Sequence, residues 1–151
     1  MSRRKLHHYK FSAEAENVIE SGKPLYTSVV GKWRELYFKN ENPVVLELAC
    51  GKGEYSIGMG QVFPDKNFIG MDIKGDRIAR GSQAATEAGL KNVAFLRAGI
   101  EYSDEFFQEG ELDEIWLIHP DPQVRDRDEK RRLTNEKFLK NYARYLKKGG
   151  L

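Results

Sequence analysis

The chain has little of several features that define whole classes of protein. It contains one cysteine in 151 residues, which excludes an internal disulfide. No apolar run approaches the length of a membrane span, and the first residues, Met1-Ser2-Arg3-Arg4-Lys5, do not read as a secretory leader. Cys50 has no evident base beside it in the sequence, so a small buried residue is its expected role. We therefore expect a cytoplasmic protein with no membrane partner, whose oligomeric state the sequence leaves open.

The chain also has little net charge. A formal charge of +2 does not by itself indicate nucleic-acid binding, so the distribution of the cations has to carry that argument. Basic residues concentrate in the N-terminal arm and again in the segment from Arg125 to Arg132. The arm contains Arg3, Arg4, Lys5, His7, His8 and Lys10. Lysine and arginine on exposed segments suit phosphate recognition, although each cluster can also be read as a solvated run of charge.

No metal site is expected. His7 and His8 are adjacent, but no cysteine or carboxylate cluster in the sequence completes a ligand set around them.

Hydrophobic periodicity favours an alternating α/β fold. Strands are predicted over residues 44–49, 67–72, 92–97 and 112–118, and helices over 53–62, 75–88 and 133–146. Strands that alternate with helices indicate a parallel sheet with helices on both faces. Residues 1–43 are harder to place, and the aromatic stretch around Trp33 suggests a segment that covers the domain.

The first predicted strand opens into a turn with little side-chain bulk. Glu47 lies within the apolar run of that strand, and Gly51 and Gly53 follow it. Asp72 ends the second strand about 20 residues past the turn, where such folds hydrogen-bond a ribose diol. The pattern predicts an adenosine-containing ligand, although a plain strand-to-helix turn is the structural alternative.

A second motif follows the strand at 112–118. Asp121 lies between Pro120 and Pro122, directly before the basic segment that begins at Arg125. An acidic group at the end of a strand is well placed to orient a ligand, whereas the alternative is that the prolines end the strand and Asp121 caps a turn.

Together these motifs resemble the bacterial tRNA (guanine-N7)-methyltransferases, which are class I S-adenosylmethionine-dependent enzymes. In that family a D-E-I-W-L strand leads to F-P-D-P and to a basic segment that ends K-R-R-L. The resemblance runs from about Val44 to Leu151. The chain departs from the family pattern at Ala49 in place of a glycine, at Gly99 in place of an acidic residue and at His119 in place of phenylalanine. For the missing acidic contact, backbone groups at Ala98 and Gly99 and the nearby Glu101 are the alternatives.

The resemblance implies a Rossmann-like class I methyltransferase sheet that lacks its last strands. It divides the chain into residues 1–43, a basic N-terminal arm and covering segment, and residues 44–151, an S-adenosylmethionine-binding domain incomplete at its C-terminus. With the last strands absent, we expect the strand at 112–118 to be an exposed edge.

The resemblance also implies an activity, methylation of guanine N7 in tRNA at a variable-loop guanosine. Asp121 is the implied catalytic residue and Arg125 the implied substrate contact. The implied S-adenosylmethionine contacts are Glu47, Gly51, Gly53, Asp72, Gly99 and Asp121. Two alternatives stay open: a non-catalytic RNA- or cofactor-binding fragment, and a class I methyltransferase with another substrate.

Overall fold

A computed structural model describes residues 2–151. Its centre is a parallel sheet of five strands in the order β1-β4-β3-β2-β5. The strands are β1 (Val18–Ile19), β2 (Val44–Leu48), β3 (Asn67–Asp72), β4 (Val93–Arg97) and β5 (Glu114–Trp116). The four predicted strands correspond to β2 to β5, and their parallel pairing confirms the predicted α/β class.

Within the described residues, five α-helices accompany the sheet. They are α1 (Arg3–Glu14), α2 (Pro24–Ser28), α3 (Glu54–Val62), α4 (Gly75–Glu87) and α5 (Glu136–Tyr145). A π-helix covers Trp33–Phe38, and short 3₁₀ helices cover Ile100–Glu105 and Asp126–Arg131. The three predicted helices are confirmed as α3, α4 and α5, with boundaries shifted by up to three residues.

Alternate residues of the strands face two separate apolar clusters. Leu46 and Leu48 pack with Trp33 and Tyr145 on one face of the sheet, whereas Val45 packs with Ile78 of α4 on the other. A parallel sheet needs such cover on both faces, which explains why its strands read as nearly continuous apolar runs.

The N-terminal region joins the sheet. β1 pairs with β4, and the indole nitrogen of the buried Trp33 donates a hydrogen bond to the Phe106 carbonyl at 2.8 Å. The basic arm is a helix, α1, which packs against α4. The domain boundary at residues 43 and 44 stays a prediction.

Lys23 fastens the end of α1. Its Nζ donates hydrogen bonds to the carbonyl oxygens of Ser12, Ala15 and Val18 at 2.5, 2.7 and 2.8 Å. The Ser12 and Ala15 carbonyls lie where the helix ends, so the ammonium group replaces partners that the helix itself does not supply, and the Val18 carbonyl ties it to β1.

The expectation that residues 112–118 form a fully exposed edge is wrong for its first half. Leu112 forms a bridge with Leu146, and Ile115 donates its amide to the Leu151 carbonyl at 2.8 Å. Leu151 in turn donates to the Asp113 carbonyl at 3.0 Å. The segment after α5 therefore already supplies ladder hydrogen bonds to the outer side of β5.

No helix within residues 2–151 is both long and apolar enough to cross a bilayer.

Candidate active site

A cavity of about 580 Å³ opens where β3 and β4 end and where the chain leaves β5. From β2 the chain adds β3 and β4 on one side of the sheet and then adds β5 on the other side of β2. The order in which strands are added therefore reverses at β2. Open α/β sheets bind their ligands at such a switch point, outside the carboxyl ends of the strands. The lining includes Ala49, Asp72, Ile73, Lys74, Arg77, Ala98, Gly99, Glu101, His119, Asp121, Gln123, Lys130, Arg131 and Lys137.

Asp72 is held rigidly at the end of β3. Its Oδ2 accepts a hydrogen bond from the Gly51 amide at 2.9 Å, and its Oδ1 accepts one from the Lys74 amide at 2.9 Å. Each carboxylate oxygen has a second lone pair, so both oxygens retain capacity for a ligand. The half-buried side chain is thereby fixed in orientation before any ligand arrives.

The turn after β2 depends on left-handed backbone. Ala49, Gly51 and Gly53 have φ angles of 54°, 59° and 69°. At Gly53 a Cβ would collide with the Phe95 ring, so glycine is required there for space as well as for conformation. Ala49 is the exception, because it adopts a glycine-like conformation while carrying a methyl group.

Glu47 lies behind the cavity and not in its lining. The side chain is buried, and its Oε2 accepts hydrogen bonds from the Ser56 amide at 3.1 Å and the Ser56 hydroxyl at 2.6 Å. Burial raises the pKa of this carboxyl above its usual range, and the Ser56 donors oppose that shift. The carboxylate thus ties β2 to the first turn of α3.

The end of β4 places Glu101 against Gly99. A Cβ built on Gly99 would lie 2.7 Å from the Glu101 carboxylate oxygens. The Glu101 carboxylate therefore occupies the space in which a side chain at position 99 would begin. The acidic group beside Gly99 in the cavity is therefore the carboxylate of Glu101, two residues later in the sequence.

The segment after β5 carries Asp121 into the lining and then turns sharply. Gln123 has a φ of 46°, and its carbonyl accepts a hydrogen bond from Arg132 Nε at 2.9 Å. Arg125 is exposed and precedes the 3₁₀ helix Asp126–Arg131, outside the cavity lining. Lys130 and Arg131 line the cavity instead.

Sequence reasoning identified Lys130 and Arg131 only as members of a basic segment, and it missed three other cations of the lining. Lys74 and Arg77 come from the start of α4, and Lys137 comes from the start of α5. Their spacing in the sequence carried no signal of a common site, because the starts of two helices far apart in the chain bring them together. The cavity lining therefore combines acidic and cationic side chains.

Of the predicted site residues, the structure brings Asp72, Gly99 and Asp121 together in one cavity. Gly51 and Gly53 shape the adjoining turn, and Glu47 braces it from behind. The fit to an adenosine ligand with a cationic tail rests on the rigid Asp72 carboxylate and on the turn that lacks side-chain bulk.

Comparison with known proteins is consistent with this geometry. Residues 41–151 match a protein-family model described as "Putative methyltransferase". The fold is similar to that of the antibiotic-resistance methyltransferase Kmr, with a TM-score of 0.59, 19% identity, and coverage of 75% of this chain and 58% of that chain. It is also similar to a SAM-dependent methyltransferase from Aquifex aeolicus, with a TM-score of 0.54, 16% identity, and coverage of 93% of this chain and 67% of that one.

Curated relatives are more similar in sequence. The tRNA (guanine-N(7)-)-methyltransferase of Christiangramia forsetii is 47% identical over 99% of this chain and 69% of its own length. That of Cytophaga hutchinsonii is 43% identical over 99% of this chain and 67% of its own length. That of Bacteroides fragilis is 52% identical over 80% of this chain, but only 47% of its own length is matched. The chain therefore belongs to the tRNA (guanine-N(7)-)-methyltransferase family.

Proposed function

We propose that the protein transfers a methyl group from S-adenosylmethionine to N7 of a guanosine in tRNA. The matches span 47% to 69% of the relatives' lengths, so the activity of the whole protein is part of the proposal. The observation that carries it is the cavity whose lining combines Asp72 and Asp121 with several cationic side chains. Because tRNA is found in the cytoplasm, the proposal places the protein there.

The residues at the ends of β3 and β4 suit S-adenosylmethionine, which supplies an electrophilic methyl group on a sulfonium. Asp72 accepts hydrogen bonds from the ribose hydroxyls, for which its two oxygens are already oriented. Glu101, beside Gly99, accepts from the adenine amino group. Gly51 and Gly53 let the backbone approach closely, and Glu47 contributes negative charge near the cationic end.

Asp121 holds the guanine. N7 has an in-plane lone pair and no proton, so the reaction needs no general base and depends on positioning. The carboxylate accepts hydrogen bonds from the N1 and N2 hydrogens and stabilises the positive charge that develops on the base. Lys130, Arg131 and Arg125 contact the phosphate backbone around the target guanosine.

The experiment uses unmodified tRNA and labelled S-adenosylmethionine, followed by digestion to nucleosides. We expect label in 7-methylguanosine, and we expect Asp121→Asn to lower turnover by about 10²-fold or more, as for the loss of one electrostatic contact in a transition state. Calorimetry should give nearly unchanged cofactor affinity for Asp121→Asn. Asp72→Asn should instead weaken cofactor binding about tenfold.

Asp65→Asn is the matched control, because Asp65 is exposed and lies outside the cavity lining. Label in another nucleoside would contradict the substrate assignment. Cofactor and tRNA binding without any methyl transfer would favour a non-catalytic module.

A further inference from the structure

Two exposed aromatic side chains lie beside each other, and one of them, His119, lines the cavity. Tyr55, in the first turn of α3, is 43% exposed, and His119, which follows β5, is exposed as well. Their ring centroids are 5.9 Å apart with the planes inclined at 53°, and the Tyr55 hydroxyl lies 3.5 Å from His119 Nε2. Neither ring is a member of the two apolar clusters of the sheet.

The position of this pair relative to Asp121 indicates a ligand. His119 lines the cavity two residues before Asp121, with Pro120 between them. Asp121 engages one edge of a guanine, which leaves the two faces of the base available to neighbouring side chains. Aromatic side chains are the usual partners of an unstacked base, because every base has a π-face.

We infer that Tyr55 and His119 form a stacking platform for the target guanine. The inference rests on the proposed function and adds the residues that bind the faces of the base. The Tyr55 ring packs beside the imidazole, and the His119 ring contacts the purine that Asp121 holds by its edge. The two elements that carry the platform, α3 and the segment after β5, meet only in the folded chain.

The test compares ring removal with ring retention. His119→Ala and Tyr55→Ala should each lower kcat/KM for tRNA, by about tenfold for the loss of one stacking contact at His119. His119→Phe and Tyr55→Phe keep an aromatic ring and should retain most of kcat/KM. In all four variants calorimetry should give an S-adenosylmethionine affinity close to that of the unaltered protein.

Phe63→Ala is the matched control. Phe63 is 41% exposed and lies at the opposite end of α3, away from the cavity, so its removal should leave kcat/KM unchanged. Thermal unfolding of every variant shows whether a loss of activity follows from a loss of folded protein.

Three outcomes would overturn the platform. The first is a His119→Phe variant that behaves like His119→Ala, which would assign an imidazole-specific role. The second is unchanged kcat/KM in the alanine variants, and the third is weakened cofactor binding in those variants. If the unaltered protein forms no 7-methylguanosine, the proposed function fails. Fluorescence anisotropy with tRNA then judges the platform separately, since unchanged affinity in both alanine variants would refute it.

Discussion

Ala49 shows how one residue sets a local conformation against its own preference. Its φ of 54° is left-handed, a conformation that costs an L-residue with a Cβ about 1–2 kcal/mol. The neighbouring Gly51 and Gly53 adopt the same region without that cost. The turn is therefore maintained by its surroundings, including the hydrogen bond from Gly51 to Asp72.

Ala49→Gly should accordingly stabilise the protein by about 1 kcal/mol, because glycine relieves the left-handed strain. Chemical denaturation measures the change. Ala84→Gly, in the exposed interior of α4, is the control and should destabilise by about 1 kcal/mol. Equal destabilisation in both variants would show that Ala49 is not strained.

The buried carboxyl of Glu47 also lowers the stability of the folded protein, in addition to the strain at Ala49. Burial raises the pKa of its carboxyl in the folded protein, whereas the unfolded chain ionises near the ordinary value of 4.5. The folded state thus binds its proton more tightly, and this group makes stability fall as pH rises through that interval. A buried charge kept at such a cost is typical of a functional position.

Glu47→Gln should therefore be more stable than the unaltered protein at pH 8, with the advantage shrinking as pH falls towards 4.5. The glutamine oxygen still accepts the Ser56 hydrogen bonds. Denaturation at several pH values measures this, and calorimetry should show weaker S-adenosylmethionine binding. Glu109→Gln, at an exposed position, should show neither change; a less stable Glu47→Gln at pH 8 would contradict the argument.

At the scale of elements, Asp113 joins three parts of the chain at the start of β5. Its carboxylate pairs with Arg34 of the π-helix and with Lys147 after α5, and it accepts the Val44 amide of β2 at 2.7 Å. Burial alone would raise the pKa of this carboxyl, but the Lys147, Val44 and Arg34 donors outweigh it and lower the pKa. These contacts hold the β5 edge in register.

Asp113→Asn should destabilise the protein by about 1–2 kcal/mol, because it weakens charge-assisted hydrogen bonds to Arg34, Lys147 and the Val44 amide, while water solvates the half-exposed Lys147. Since the folded pKa is lowered, the stabilisation is present above the ordinary value of 3.8 and is lost as pH falls through the folded pKa. The variant should therefore lack that acid sensitivity in urea titrations. Glu136→Gln, which removes an exposed pair with Lys140, should cost less than about 0.5 kcal/mol.

At the scale of the whole molecule, charge placement matters more than net charge. Although the formal net charge is only +2, the cavity lining contains cations from the start of α4, from the segment after β5 and from α5. Phosphate neutralisation by such residues makes nucleic-acid affinity depend on salt.

The double variant Lys130→Ala with Arg131→Ala should weaken tRNA binding and reduce the salt slope of log K by about 1 per contact removed. Fluorescence anisotropy across a salt series measures both quantities. Lys39→Ala with Lys91→Ala removes two exposed cations outside this cavity and is the matched control. An unchanged slope in the cavity variant would place the tRNA backbone elsewhere.

The sequence by itself determined the alternation of strands and helices, because burial on both faces leaves an unmistakable apolar run such as Val44–Leu48. It also determined that Asp72 ends β3, that Asp121 lies in the segment after β5, and which family the contiguous motifs indicate. It did not predict that the N-terminal arm is a helix docked on α4, since that depends on packing between two helices that are distant in the sequence.

Only the tertiary structure decided which residues share the cavity. It brought Glu101 against Gly99, replaced Arg125 with Lys130 and Arg131 in the lining, and set Tyr55 beside His119. It also directed the Glu47 side chain towards α3. The physical reason is that motifs within one segment report on local backbone, whereas a site assembled at the carboxyl ends of parallel strands joins residues whose distances are fixed only when the sheet forms.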